Sequence, residues 1–209
     1  MKRMTFTIIL ACLTLAMAAQ DDAIRVSYKG ARPTISDFVS SYLSAIMVDD
    51  DDDEDCIDES ANAFNQAWMN HKKGLPLDEG DKLTVDEKNG YVLYESRFED
   101  ELLKVEMCYW NEADGKHKLV AYNVAAYRNG KYMGGQYDGL LFYRYNNATK
   151  KMTLCDDTGV EDAYEMEDGA MLSFGLPRIG KDIVVTWSWF DKDKTIRKTM
   201  KWNGRRFSF

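Results

Sequence analysis

The sequence predicts an α+β fold in which two N-terminal helices pack on a predominantly antiparallel β-meander, arranged as an open barrel or a sandwich. Three observations lead to this fold class. Apolar residues recur at steps of three and four between positions 35 and 47, which is the period of a helix. From Lys82 onward they alternate with polar residues, which is the period of a strand. Asn-Gly pairs, which favour tight hairpin turns, separate the alternating runs.

The first helix is predicted to begin after Thr34. The Thr34 hydroxyl can cap the free backbone amides of the first turn, and Asp37, three residues on, completes a variant of the capping box. One face of the helix carries the apolar residues Ile35, Phe38, Val39, Tyr42, Leu43, Ile46 and Met47. Burying such a stripe contributes roughly 1.5–3 kcal/mol per large side chain before entropy is subtracted, so we expect this face to pack on the sheet.

A second helix is predicted over residues 58–73, with Ala61, Phe64 and Trp68 on one face. The basic residues at its end suit the negative pole of the helix dipole, and the Gly-x-Pro sequence at 74–76 ends it. We expect the two helices to cover one face of the sheet or to plug one end of a barrel.

The remainder of the chain is predicted to form strands joined by short turns. Asn-Gly pairs stand at 89–90, 129–130 and 203–204, and further turns are predicted at 111–116, 146–150 and 191–194. The runs between them alternate apolar and polar residues, as antiparallel strands with one wet face do. Because strands adjacent in sequence tend to pair, we expect a meander of about eight to ten strands that curls or splits into two sheets.

Residues 1–18 have the pattern of a signal peptide. Lys2 and Arg3 precede an apolar run at 6–15, and residues 16–18 form an A-x-A cleavage signal. The apolar run is shorter than the roughly 20 residues of a membrane-spanning helix, so no transmembrane segment is predicted. We expect an exported protein, periplasmic or secreted, from a bacterial host. A lipoprotein acylated at Cys12 is the alternative.

The mature chain is predicted to be one globular unit. Residues 19–80 form a helical segment that includes an acidic loop at 49–55, and residues 81–209 form the antiparallel β domain. The chain carries 27 basic and 35 acidic residues, a net charge of −8, and no basic patch is evident in the sequence. Nucleic acid is therefore not expected as a partner.

The acidic run at 49–55 contains the candidate metal site. Asp49, Asp51 and Asp53 alternate as calcium ligands do, but Glu54 and Ser60 stand where an EF-hand requires Gly and Glu. Neighbouring carboxylates repel one another, which favours a solvated loop, with a weak divalent-cation site as the alternative hypothesis.

The candidate ligand-binding residues are Trp110, Cys108 and His117. If a turn at 111–116 closes a hairpin with Trp110 opposite His117, the Cys108 thiol and the His117 imidazole become diagonal neighbours about 7–8 Å apart at the backbone. Trp110 shares a face with Lys104 and Glu106, so we expect it to be partly exposed. The other tryptophans of the β domain have apolar neighbours and are predicted to lie in the core: Trp187, Trp189 and Trp202.

No motif in the sequence specifies a chemistry. G-x-S-x-G, phosphate-loop and dinucleotide motifs are missing, so no catalytic residue and no cofactor is predicted. The pairing of the thiols of Cys56, Cys108 and Cys155 is left open. We expect a non-enzymatic binding protein that holds an unknown protein or small ligand on a sheet face or in a barrel mouth. The alternatives are a glycan- or cell-wall-directed hydrolase with a carboxylate pair, and a structural or adaptor component of an envelope complex.

Overall fold

The computed structural model describes residues 23–47, 59–134, 139–165, 169–189 and 194–209. The predicted signal peptide, Cys12, the acidic run with Asp49, Asp51 and Asp53, and Cys56 lie outside the described residues. Within these ranges the chain forms two α-helices, a 3-10 helical turn and twelve strands. The predicted α+β fold is confirmed.

Helix α1 spans Ile35–Ile46 and helix α2 spans Glu59–Lys73. The Asp37 carboxylate accepts hydrogen bonds from the Thr34 backbone N–H at 2.8 Å and from the Thr34 hydroxyl at 3.0 Å, so the predicted N-terminal cap of α1 is present. Neither described helix has the length and apolar character that a membrane span requires.

The larger sheet is built from eight antiparallel strands and forms a curled half-barrel. Its strands are β1 (Ile24–Arg25), β2 (Asp81–Asp86), β3 (Tyr91–Phe98), β4 (Glu101–Asn111), β5 (His117–Arg128), β6 (Lys131–Tyr132), β7 (Gly139–Asn146) and β8 (Lys151–Leu154). The order across the sheet is β1-β8-β7-β5-β4-β3-β2, with β6 paired to β5 beside this path. Most neighbours in the sheet are neighbours in sequence, as the predicted meander requires.

The smaller sheet follows a 3-10 turn at Val160–Ala163. Its strands are β9 (Met171–Gly175), β10 (Ile183–Ser188), β11 (Thr195–Trp202) and β12 (Phe207–Ser208), and they pair in the order β12-β11-β10-β9. The fold therefore contains both a curled larger sheet and a second, smaller sheet.

The larger sheet is the middle layer of three, because alternate residues of its central strands face two separate cores. Val105 and Met107 of β4 pack with the helices, whereas Cys108 and Trp110 of the same strand pack with the smaller sheet. The helix-side core includes Ile35, Phe38, Val39, Tyr42, Leu43, Phe64, Ala67 and Trp68 from the two helices. The helices thus cover one face of the sheet, as predicted.

The smaller sheet meets the larger one through β9. The side-chain amide of Asn123 donates to the Phe174 carbonyl at 3.1 Å, and the Leu176 N–H donates to the Glu106 carboxylate at 3.4 Å. One face of the smaller sheet, with Trp187, closes the second core. Its opposite face, with Thr186, is left to form one wall of a cleft against the larger sheet. The position of β9 beside the larger sheet therefore determines where this cleft, the candidate functional site, lies.

Candidate functional site

A cleft of about 550 Å³ lies between β4, β5 and β6 of the larger sheet and β9, β10 and β11 of the smaller one. Its lining is Lys104, Glu106, Tyr127, Gly130, Lys131, Tyr132, Met171, Ser173, Phe174, Gly175, Val184, Thr186, Ser188, Trp189, Lys194, Thr195 and Arg197. In the smaller sheet most of these residues, such as Thr186 and Arg197, stand on the strand face opposite the second core, whereas Lys104 and Glu106 share a face of β4 with Cys108 and Trp110 of that core. The cleft is therefore concave and rich in hydrogen-bonding groups.

Glu106 is the buried carboxyl group in the described lining of the cleft. Its carboxylate accepts hydrogen bonds from the Tyr91 hydroxyl at 2.6 Å, from the Asn123 side-chain amide at 3.1 Å and from the Leu176 backbone N–H. Burial raises the pKa of Glu106, and these three donors oppose that shift. The carboxyl group is thus hydrogen-bonded to both sheets within the lining of the cleft.

The described lining carries four cationic side chains, Lys104, Lys131, Lys194 and Arg197, and one carboxyl group, that of Glu106. The Lys104 ammonium lies 3.8 Å from a Glu95 carboxylate oxygen. Arg197 is exposed and makes no ion pair with any described residue. The described lining is therefore positive, although the whole chain has a net charge of −8.

Aromatic rings stand at two places in the cleft. Trp189 is half-buried at the end of β10, and the Lys194 ammonium lies 4.4 Å from the centre of its ring. Tyr127 and Tyr132 pair across β5 and β6 with their ring centres 5.8 Å apart. Flat apolar faces beside hydrogen-bonding groups are what a sugar ring or another cyclic polar ligand requires.

Trp110, one of the three residues predicted to bind a ligand, is buried. It is 4% exposed, and its indole N–H donates to the Lys181 carbonyl at 2.8 Å. Its ring packs against Phe207 at 5.2 Å and Trp202 at 6.0 Å. The prediction that Trp110 is partly exposed is wrong, because the smaller sheet covers the face of β4 that would otherwise be exposed to solvent.

Cys108 and His117 are not brought together. The β4–β5 register pairs Cys108 with Ala121 and Trp110 with Leu119, so the expected register is wrong by two residues. Ala121 and His117 are four residues apart on β5, which is about 13 Å of strand. Burial raises the pKa of the Cys108 thiol well above its usual range, which disfavours the reactive thiolate.

His117 belongs to a different group of side chains, at the turn that joins β4 to β5. Its Nδ1 lies 2.5 Å from the Asp114 carboxylate, and its Nε2 lies 3.1 Å from the Asn146 amide. Possible metal-ligating atoms of Glu112, Asp114 and His117 lie within 4.8 Å of one another. Glu112 is held by Arg144 at 2.7 Å, so a metal ion would have to displace existing partners.

None of Trp110, Cys108 and His117 lines the cleft. The sequence predicted none of the residues that do line it as ligand-binding residues. Trp187 lies in the core as predicted, whereas Trp189 is only half-buried there and also lines the cleft. The alternation of β10, in which Thr186 and Ser188 face away from Val185 and Trp187, was the available indication of a polar surface.

Comparison of the chain with models of protein families, with curated proteins and with solved structures finds no match. Function therefore has to be inferred from the residues of the cleft.

Proposed function

We propose that this is an exported, non-enzymatic binding protein that holds a small organic anion in the cleft between its two sheets. The cleft volume of about 550 Å³ falls in the range typical of small-molecule sites. Export is proposed from the pattern of residues 1–18 alone. Of the predicted binding modes, the small-ligand mode is favoured because the site is concave.

The observation that carries this proposal is the charge of the described lining. Lys104, Lys131, Lys194 and Arg197 surround one cleft in a chain whose net charge is −8. Cationic side chains that line a concave surface concentrate the field and attract anions. Arg197 has no ion-pair partner among the described residues, so its guanidinium remains available to the carboxylate of an organic anion.

The other lining residues narrow the class of anion. Hydroxyl groups of Ser173, Thr186, Ser188 and Thr195 project from the smaller sheet, and Trp189 supplies a half-buried aromatic face. Hydroxyl groups both donate and accept, so they suit a ligand with several hydroxyls of its own. We therefore take an acidic sugar as the chemical class that fits best.

A glycosidase would need a second carboxyl group about 5–10 Å from the first. Within the described lining Glu106 is the carboxyl-bearing residue, and its two oxygens already accept hydrogen bonds from Tyr91, Asn123 and Leu176. A carboxyl group held in this way serves to shape the site. Binding is therefore the better-supported function.

Isothermal titration calorimetry tests the proposal. We expect D-glucuronate and digalacturonate to bind to the full chain, and glucose and maltose, which have no charge, to bind at least tenfold more weakly. The Arg197→Gln variant is expected to weaken uronate binding about tenfold, because it removes one charge-assisted interaction. Lys88→Gln, which removes a positive charge at an exposed turn, is the control and is expected to bind like the wild type.

Three results would contradict the proposal. Equal affinity for neutral and acidic sugars would show that the positive lining does not select the ligand. Unchanged uronate binding by Arg197→Gln would place the ligand elsewhere. The release of galacturonate from digalacturonate would replace the binding function by hydrolysis.

A further inference from the structure

A second cavity, of about 420 Å³, lies at the end of the larger sheet and shares no lining residue with the cleft. It is formed where the β4–β5 turn approaches the loop that leads into α1. Its lining is Tyr28, Ala31, Arg32, Pro33, Asn111, Gly115, His117, Lys118 and Asn147. We propose that this cavity is an oxyanion site, in which Lys118 and Arg32 bind a phosphate or sulfate group, either free or carried by a small molecule.

The first argument is the burial of Lys118. The residue is 7% exposed, its ammonium donates to the Asn111 side-chain carbonyl, and it lies 4.5 Å from the centre of the Tyr109 ring. No carboxylate among the described residues forms an ion pair with it. A buried charge without a counter-charge is strongly unfavourable, so such groups are generally paired with an ion of opposite sign.

The second argument is the position of Arg32. Its exposed side chain lines the same cavity and makes no ion pair with a described residue. Burial, and after it the repulsion from Arg32, lower the pKa of Lys118. Two cations that face one cavity without an acid between them repel each other, and an anion placed between them relieves that repulsion.

The third argument is the shortage of competing negative charge. No carboxyl group belongs to the described lining of this cavity. The nearby Asp114 is engaged by His117 through Nδ1 at 2.5 Å and by the backbone N–H groups of the turn. On the other side, the Lys150 ammonium lies 4.8 Å from the centre of the Tyr28 ring and adds positive charge.

Phosphate and sulfate fit this arrangement by their chemistry. The ammonium and the guanidinium together offer several charged donors, and a tetrahedral oxyanion has several oxygens that can accept from them. The amide groups of Asn111 and Asn147 add neutral polar partners at the wall. Chloride offers no such directional set of acceptors.

The test titrates the full chain with inorganic phosphate and with sodium sulfate at constant ionic strength, with chloride as the balancing anion, by calorimetry. We expect saturable binding of one or both tetrahedral anions. The exposed substitution Arg32→Gln is expected to weaken this binding about tenfold. Lys118→Met keeps a chain of similar length over the Tyr109 ring, so it is expected to fold, to abolish phosphate binding and to melt at a higher temperature than the wild type in phosphate-free buffer.

Arg197→Gln is the matched control, because it removes the same charge from the cleft. It is expected to bind phosphate like the wild type, which separates this site from the proposed ligand cleft. Loss of phosphate binding in Arg197→Gln but not in Arg32→Gln would overturn the proposal, since the anion would then occupy the cleft. The proposal is equally overturned if neither anion binds, or if Arg32→Gln and Lys118→Met bind phosphate as the wild type does.

Discussion

Glu106 is the residue on which the two sheets and the cleft converge. Its carboxyl group contacts Tyr91 on β3, Asn123 on β5 and Leu176 just after β9, so it joins the two sheets. Charged groups are seldom buried unless they are hydrogen-bonded, and here each carboxylate oxygen has a donor. The residue therefore combines a structural role with a position in the lining of the cleft.

The pH dependence of stability tests this environment. In the folded protein the pKa of Glu106 is raised by burial, so the folded state favours the protonated carboxyl group more than the unfolded state does. The contribution of Glu106 to the free energy of unfolding is then fully present below its pKa in the unfolded chain, about 4.5. This contribution is lost as the pH rises through the pKa of Glu106 in the folded protein. We predict that the wild type loses free energy of unfolding relative to Glu106→Gln as the pH rises from about 4 to 8.

Urea unfolding of both proteins across that pH range measures the difference. Glutamine can accept from Asn123 and Leu176 with its oxygen and donate to Tyr91 with its nitrogen, so the variant is expected to fold. Glu79→Gln makes the same change at an exposed position and controls for the loss of one charge. The difference in unfolding free energy between the wild type and Glu106→Gln could instead stay constant, or grow in favour of the wild type, as the pH rises. Either result would show that burial does not determine the pKa of this carboxyl group.

At the scale of elements, the Asn-Gly turns determine where strands reverse. All three pairs lie between consecutive antiparallel strands, as the sequence predicts. Gly90 has φ +65° and Gly130 has φ +75°, both in the left-handed region. They differ in their surroundings, because a Cβ on Gly90 would lie 2.7 Å from the Tyr109 ring whereas nothing lies within 4 Å of one on Gly130.

This difference gives a matched pair of variants. Gly130→Ala is expected to cost about 1 kcal/mol of unfolding free energy, the strain of a left-handed alanine. Gly90→Ala is expected to cost about 1–3 kcal/mol more, because the added methyl must displace the Tyr109 ring from the helix-side core. Chemical denaturation of the two variants measures both values. Equal losses would mean that the ring moves aside without cost.

The β4–β5 hairpin shows which part of an element the sequence determines. Alternation correctly assigned the faces of both strands, but the predicted pairing of Trp110 with His117 is wrong by two residues, since Trp110 pairs with Leu119. A slip of two residues leaves every side chain on its own face, so alternation alone cannot detect it. The turn geometry decides the register, and there the N–H groups of Lys116 and His117 both bond to Asp114.

At the scale of the whole molecule, the arrangement of layers depends on contacts between segments that are distant in sequence. Lys104, Glu106 and Trp110 share a face that looks polar in the sequence, yet Glu106 and Trp110 are buried because the smaller sheet packs there. The cleft likewise needs β4, β5 and β11 to meet, and no local pattern encodes that meeting. The sequence therefore predicted the helices, the strands and most turns, but not the site.

The three layers are coupled because β4 and β5 contribute to both cores. Phe38 of α1 is fully buried in the helix-side core, with its ring centre 5.1 Å from that of Tyr145 and 5.4 Å from that of Tyr109. Trp187 of β10 is buried in the other core. If the larger sheet holds both cores together, a loss of packing on the helix side must also reduce the stability of the smaller sheet.

Phe38→Ala tests this coupling. The substitution is expected to cost about 3–5 kcal/mol, and hydrogen exchange measured by mass spectrometry should show the amides of β10 losing as much protection as those of α1. Ile179→Ala removes an apolar side chain that is 82% exposed, so it is expected to leave both segments unchanged. Loss of protection in α1 with unchanged protection in β10 would mean that the smaller sheet unfolds as a separate unit. The cleft, which needs both sheets, would then depend on the contacts between the sheets themselves, namely the second core and the hydrogen bonds of Glu106 and Asn123.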